Sequence, residues 1–455
     1  MLNPQIFREY DIRGIVDEDL TNNVVENIGL AFGSYIHKKG MKTVSVGSDV
    51  RLSSDKFRDI ITKSLANTGC EVIDVGTVPT PVLYFAIEKL ETDAGIMITG
   101  SHNPADYNGF KLCLGTSSMY GKEIQKIREI IHEEVYISKK GSVKKYDNIV
   151  KEYQDYLVEN LHLDKKLKVI IDSGNGTAGP VAPEIFERMG CEVISLFEKP
   201  DGNFPNHHPD PTVPAYITEL IKTVKQENAD LGVGFDGDSD RIGAVDEKGN
   251  ILWGDQILDI FARDVLKDHP GASIISEVKS SKNLYDDIRL HGGNPIMWKT
   301  GHSLIKQKMK EIGSPLGGEM SGHMFFADRY FGFDDAIYAA GRFFELLSKT
   351  EKKASELLAD VPETFNTPEI RTDCPEDIKF KVVEKVKNYF LNKNFNINDI
   401  DGMRITFDDG WALVRASNTQ AVLVLRFEST DPDRLKEIQK MVSEKVQEVI
   451  GILSK

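Results

Sequence analysis

One local pattern occurs three times along the chain. Lys42 to Gly76 reads KTVSVGSDVRLSS, then a helical stretch, then NTGCEVIDVG. Leu167 to Phe197 reads LKVIIDSGNGTAGP, a helical stretch, and RMGCEVISLF. Ala272 to Lys299 reads ASIISEVKSS, NLYDDIRL and HGGNPIMWK, with the weakest likeness of the three. Each is an apolar strand, a Gly/Ser/Asp loop, a helix, a glycine stop and a second apolar strand, the grammar of a βαβ unit. The copies lie about a hundred residues apart, too far for a solenoid, and predict three similar α/β domains with mixed sheets.

The remainder follows another pattern. DGMRITFDDGWALVRASNTQAVLVLRFES alternates as antiparallel strands do, and DPDRLKEIQKMVSEKVQEVIGIL is a long amphipathic helix, with Asp431 as its cap and Pro432 in first position. This gives a C-terminal α+β domain. The 455 residues exceed one ordinary core, and we expect domains at 1–148, 149–250, 251–362 and 363–455.

Composition narrows the function. With 40% hydrophobic and 28% charged residues the chain reads as globular. No apolar run nears the ~18 residues of a spanning helix, and MLNPQIFREYDIRG lacks a secretory pattern, so neither membrane nor export is expected. Cys70, Cys113, Cys191 and Cys374 are scattered and read as reduced core residues of a cytoplasmic protein. A net charge of −15 argues against nucleic acid as a partner. It leaves room for small phosphorylated ligands held by a few local cations.

Three motif matches fail on their surroundings. Gly232 to Gly237 is a literal GxGxxG, yet DSDRIGAVDEKGNILWGD continues as strand, turn and strand rather than the helix a dinucleotide site needs. GTSSMYGK, Gly115 to Lys122, is one residue too long for a P-loop and is followed by Glu123. Asp236, Asp238, Asp240 and Glu247 have calcium-loop spacing, but Arg241 occupies the position that demands glycine. What survives is Asp-x-Asp-x-Asp at the end of an apolar run. Three such carboxylates repel one another unless a cation compensates. Oxygen-only ligands favour a hard divalent ion, Mg²⁺ first; an Asp-rich turn bonded to its own backbone is the plainer alternative.

ITGSHNPADYNGFK, Ile98 to Lys111, sets Ser101 in a Gly/Pro-bounded loop. No Asp–His pairing for a hydrolytic triad is evident, and His102, the next residue, is expected to point elsewhere. Taken alone TGSHNP is a turn, but a serine there becomes a nucleophile or phosphate carrier if a metal neutralises the charge.

Four loops in order, one per expected domain, carry a family resemblance: Thr99-Gly-Ser-His-Asn-Pro104, Asp236-Gly-Asp-Ser-Asp-Arg241, Gly318-Glu-Met-Ser-Gly-His323 and Arg415-Ala-Ser-Asn-Thr419. FREYDIRG, NGFK and KTGHSL add to it. Across essentially its whole length the chain resembles the α-D-phosphohexomutase superfamily. The resemblance implies four domains in a heart-shaped arrangement around a central cleft. It implies reversible exchange of hexose 1- and 6-phosphates, of mannose or glucose, through a phosphoserine at Ser101 and a hexose 1,6-bisphosphate that is both intermediate and activator. Mg²⁺ would be held by Asp236, Asp238, Asp240 and Ser101. Lys111, Arg13 and His102 fall at acid/base and phosphoserine-contact positions, where a lysine base needs burial and neighbouring cations to lower its pKa. Arg241, Lys279, His302, Glu319, Ser321 and His323 would read the sugar, with Glu319 accepting two adjacent hydroxyls. Arg415, Ser417, Asn418 and Thr419 would clamp the non-reacting phosphate. Partners are then small sugar phosphates, in a monomer or weak homo-oligomer. Met320 and Asn418 favour mannose or glucose over the glucosamine branch, the alternative substrate. A metal-dependent sugar phosphatase with Ser101 incidental is the alternative reaction.

Overall fold

The structure is a computed structural model that describes residues 2–417 and 421–454. Its first three sheets share one four-strand plan. In the first, the repeat's two strands Thr43–Ser48 and Glu71–Thr77 pair in parallel; Ala94–Ile98 adds in parallel on the other side, and Tyr107–Leu114 returns antiparallel. The second sheet repeats this with Lys168–Asp172, Glu192–Leu196, Leu231–Phe235 and Ile242–Asp246. The third repeats it with Ser273–Glu277, Asn294–Trp298, Leu316–Gly318 and Met324–Phe326. The grammar read from the sequence is therefore three parallel pairs, each bridged by a helix: Ser54–Asn67, Ala182–Met189 and Lys282–Leu290. The strand, turn and strand expected after Gly237 are present too, as Ile242–Asp246 and Ile251–Leu252.

The fourth sheet is antiparallel, built around Met403–Phe407, Gly410–Ala416 and Val422–Ser429. It is backed by the helix Pro432–Leu453, and Asp431 caps that helix by accepting the N–H groups of Asp433 and Arg434 at 2.9 and 2.8 Å. All four cysteines are free and buried. No helix among the described residues is long and apolar enough to cross a membrane.

The shared plan positions the chemistry. In each of the first three sheets the third and fourth strands run antiparallel, and the connection between them is a polar loop: 99–106, 236–241 and 319–323. In the fourth sheet the corresponding position is the link between its paired strands Gly410–Ala416 and Val422–Ser429, of which Ser417 and Ala421 are described. One apolar core, from Val75 to Leu357, runs through the first three units and fixes these loops relative to one another. The fourth unit has a separate core, Cys374 to Val449.

Candidate active site

Ser101 stands at the centre of the convergence. It is 2% exposed and has φ +50°, the left-handed region that few residues besides glycine adopt without strain. Its N–H donates to Thr99 Oγ1 at 2.8 Å, and its hydroxyl donates to Asp236 Oδ2, also at 2.8 Å. Contrary to the expectation drawn from its adjacency, His102 turns toward Ser101. Its Nδ1 lies 3.1 Å from Ser101 Oγ, because the left-handed turn folds neighbouring side chains onto one side. Burial, then Arg241 and Arg13, hold His102 well below the usual histidine range, so its imidazole is neutral.

The acid loop closes on itself through Ser239, at φ +63°. Asp236 Oδ1 accepts the backbone N–H groups of Asp240 and Arg241, each at 3.1 Å. Asp238 Oδ2 accepts from Thr80 Oγ1 at 2.6 Å and from Lys111 Nζ at 2.7 Å, and Lys111 also bonds Asp240. Oxygens of Asp236, Asp238 and Asp240 lie within 4.8 Å of one another, and Asp238 Oδ1 is buried without a hydrogen-bond partner. Three carboxylates converging, oxygen donors only, and Asp240 Oδ1 likewise without a hydrogen bond, though 3.2 Å from His323 Nε2, fit a hard divalent cation. Asp236 is raised well above the carboxylate range, first by burial and then by Asp240 and Asp238. Asp240 is held well below it: burial opposes ionisation, and Lys111 and His323 outweigh burial.

Lys111 departs from the expectation of a lowered pKa. Burial does press it down, but the carboxylates of Asp238 and Asp240 prevail and hold it above the ordinary lysine value, so it is an ammonium. Its neighbours are acids across the loop, which sequence position does not reveal.

The recognition loop is similarly committed. Glu319 Oε1 accepts the N–H of Gly301 at 2.7 Å, and Oε2 lies 2.9 Å from His323 Nδ1. Against burial, His323 holds Glu319 at about 2, and Asp240 holds His323 up at about 9. Ser321 Oγ lies 3.3 Å from the same His323 nitrogen, and His302 stacks on His323 with centroids 5.4 Å apart. Lys279 Nζ faces Glu277 and Glu369, at 3.8 and 3.6 Å. Arg415 pairs with Asp401, whose Oδ2 also accepts the N–H of Thr300; both distances are 3.0 Å. Arg13 donates to Asn103 Oδ1 at 3.0 Å and pairs with Asp11. Asn418 and Thr419 lie outside the described residues.

A cleft of about 290 Å³ brings together Ser101, His102, Arg13, Lys111, Arg241, His302, His323, Arg415 and Ser417. Lys279, Glu319 and Ser321 do not line it. The cleft adds residues that were not singled out: Arg8, Tyr10, Asn103, Thr300 and Arg371. The first four lie inside the quoted motifs FREYDIRG, TGSHNP and KTGHSL, where they could have been found; Arg371 carries no motif signal. Asp11 is the lone carboxylate of the lining, against five arginines and a lysine. A chain of net charge −15 thus gathers six cationic side chains in one cleft, with donors that can turn to an anionic ligand even though Arg13, Lys111, Arg371 and Arg415 also pair with acids.

A buried serine bonded to an acid cage, opening into a cleft walled by guanidinium groups on stacked α/β units, is the layout of a phosphoryl-transfer enzyme. Models of the phosphoglucomutase/phosphomannomutase family match the chain in order: alpha/beta/alpha domain I at residues 4–137, domain II at 151–249, domain III at 253–365 and the C-terminal domain at 369–445. A phosphomannomutase/phosphoglucomutase of Pseudomonas aeruginosa is 46% identical, over 98% of this chain and 96% of its own. A phosphoglucomutase of Neisseria gonorrhoeae is 44% identical over 95% of each. The crystal structure of a phosphoglucomutase/phosphomannomutase family protein from Burkholderia thailandensis superposes with a TM-score of 0.93 at 40% identity, covering 99% of this chain and 98% of that one. The chain belongs to the phosphoglucomutase/phosphomannomutase family.

Proposed function

We propose that this enzyme interconverts the 1- and 6-phosphates of mannose and glucose by way of a phosphorylated Ser101 and a hexose 1,6-bisphosphate. Its domains would be 1–148, 149–250, 251–362 and 363–455. The reading rests on one observation above others: Ser101 Oγ, from the first sheet, bonds Asp236 Oδ2, from the second, at 2.8 Å. Mg²⁺ held by Asp236, Asp238, Asp240 and Ser101 would neutralise charge on the transferring phosphoryl group.

The chain's own groups do the rest. The sugar hydroxyl attacks the phosphorus, the bond from phosphorus to Ser101 Oγ breaks, and Oγ takes a proton. The neutral His102, 3.1 Å from Oγ, would take the proton that the sugar hydroxyl releases and pass it to Oγ, so that the transfer balances. Lys111 acts as a charged donor rather than a base, offsetting anionic charge beside Asp238 and Asp240. Arg415 with Ser417, and the proposed Asn418 and Thr419, grip the far phosphate while Ser101 reacts. Arg241, His302 and His323 face the sugar. Glu319, Ser321 and Lys279 act from behind them: Glu319 orients His323, and a shift of the fourth unit would be needed to bring Lys279 to a ligand. The bisphosphate then turns end for end, and its other phosphoryl group returns to Ser101.

The test is turnover of mannose 1-phosphate, glucose 1-phosphate and glucosamine 1-phosphate by the native chain and by Ser101→Ala, with and without trace glucose 1,6-bisphosphate. We expect bisphosphate stimulation, a mass increase of one phosphate on Ser101, and near-complete loss in the variant. Retained turnover in Ser101→Ala would indicate a phosphatase. Preference for the glucosamine substrate by orders of magnitude would move the chain to that branch.

A further inference from the structure

The serine loop is gripped by a side chain that faces away from the cleft. Arg51, 2% exposed, lies in the loop after the first strand of the first repeat, and it does not line the substrate cleft. Its Nη2 donates to the carbonyls of Ser101 and Asn103, at 2.8 and 2.6 Å. Its Nη1 donates to those of Tyr107, at 2.8 Å, and Pro104. One guanidinium thus satisfies three carbonyls of the loop that carries the nucleophile and that of Tyr107, where the next strand begins.

The grip is fixed from both sides. Below, Asp49 Oδ2 stands 3.2 Å from Arg51 Nε and accepts the N–H of Gly100 at 3.1 Å. Gly100 must be glycine for this, because a Cβ there would lie 2.4 Å from the guanidinium carbon. Above, the Phe204 ring covers the guanidinium with its centroid 5.3 Å away. Gly202 lets that second-unit segment approach, since a Cβ on it would meet Val50 O at 2.6 Å. His208 Nε2 reaches the carbonyl of His102 from the same segment.

Ser101 sits in a left-handed conformation that persists only where its surroundings impose it. The turn also decides where Oγ lies relative to Asp236 and His102. A planar fork with fixed donor directions can hold several carbonyls in one arrangement; an ammonium, a point charge on a flexible stem, cannot. We propose that Arg51 is a positioning residue for phosphoryl transfer: it holds the Ser101 turn in its reactive geometry without touching the substrate. The inference rests on the phosphoserine reading of Ser101.

The experiment compares Arg51→Lys and Arg51→Ala with the unaltered chain, using glucose 1-phosphate with added bisphosphate and rates normalised to folded fraction by near-ultraviolet dichroism. A displaced loop should lower kcat by about 100-fold in both variants, the scale of a misplaced reacting group. KM should stay within about threefold, because the far phosphate is gripped elsewhere. Guanidinium ion should restore part of the activity of Arg51→Ala, and methylammonium should not. If Arg51→Ala does not fold, Arg51→Lys decides, since it keeps the charge and much of the stem. A kcat per folded molecule within about threefold of native in Arg51→Lys overturns the proposal, as do parallel changes in kcat and KM or equal rescue by both cations. An inactive unaltered chain would instead overturn the functional reading.

Discussion

Replacing Gly237 by alanine tests the central contact without removing any functional group. The backbone at Gly237 lies against that of Ser101: a Cβ there would stand 2.6 Å from Ser101 O. Gly237 is outside the left-handed region, so alanine meets no backbone penalty, only the collision. Ordinary contact begins at 3.4 Å, so the serine and acid loops must part by about 0.8 Å. The hydroxyl now 2.8 Å from Asp236 Oδ2 would then lie beyond hydrogen-bond reach. A displacement near 1 Å at reacting groups costs about 100-fold in rate, whereas overpacking of this kind costs about 1–3 kcal/mol of stability. The assay is kcat for glucose 6-phosphate formation at saturating glucose 1-phosphate with trace bisphosphate, beside a thermal melt. Gly451→Ala, where the added methyl meets nothing within 4 Å, is the control and should match the native rate. A Gly237→Ala enzyme with kcat within about threefold of native and an unchanged melt would refute the claim that these loops must touch for transfer.

Arg415→Ala should raise KM for the sugar phosphate at least about tenfold, since a charge-assisted hydrogen bond is worth about 1.5–3 kcal/mol; steady-state kinetics showing only a kcat effect would contradict its place in the phosphate clamp. Chelation should abolish turnover and added Mg²⁺ restore it, with Asp238→Asn needing more Mg²⁺ for half-maximal rate; activity indifferent to chelator would remove the cation from the reaction. Asp335, buried and raised to about 6 chiefly by burial, binds its proton more tightly folded than unfolded. Its contribution to stability therefore falls as pH rises from about 4 through about 6, and the stability of Asp335→Asn relative to native should climb by roughly 3 kcal/mol across that window. Urea melts showing a flat difference between pH 4 and 7 would exclude this.

Legibility in the sequence followed the range of the interactions. Strand, helix and glycine stop are local signals, so the parallel pairs and the capped final helix could be read directly from apolar runs and from Asp431-Pro432. The common role of the loops after each third strand could not, because Leu316–Gly318 is too short to announce itself as a strand. Motif spacing drew attention to Ser101 and the three acids, but charge states depend on neighbours brought from elsewhere. Lys111 lies far along the chain from Asp238 and Asp240, and their carboxylates reverse the expected direction of its titration. Glu319 reads as a free acceptor until His323 and Gly301 are found occupying it. Arg51 in GSDVRLSS resembles any solvated loop cation; only folding turns four carbonyls toward it.

The C-terminal sheet owns its interior, Cys374 to Val449, while the three other sheets are fused through theirs. A swing of this body would still uncover the small buried patch of Val278, Trp411 and Leu413 and break the bonds from Arg404 to the carbonyls of Val278 and Ser280, together with that from Asp401 to the Thr300 amide. On the proposed cycle, retention of the half-finished sugar would then be a race between its tumbling and any opening of this seam. On that cycle, the demand for fresh bisphosphate would accordingly follow how firmly the seam is latched.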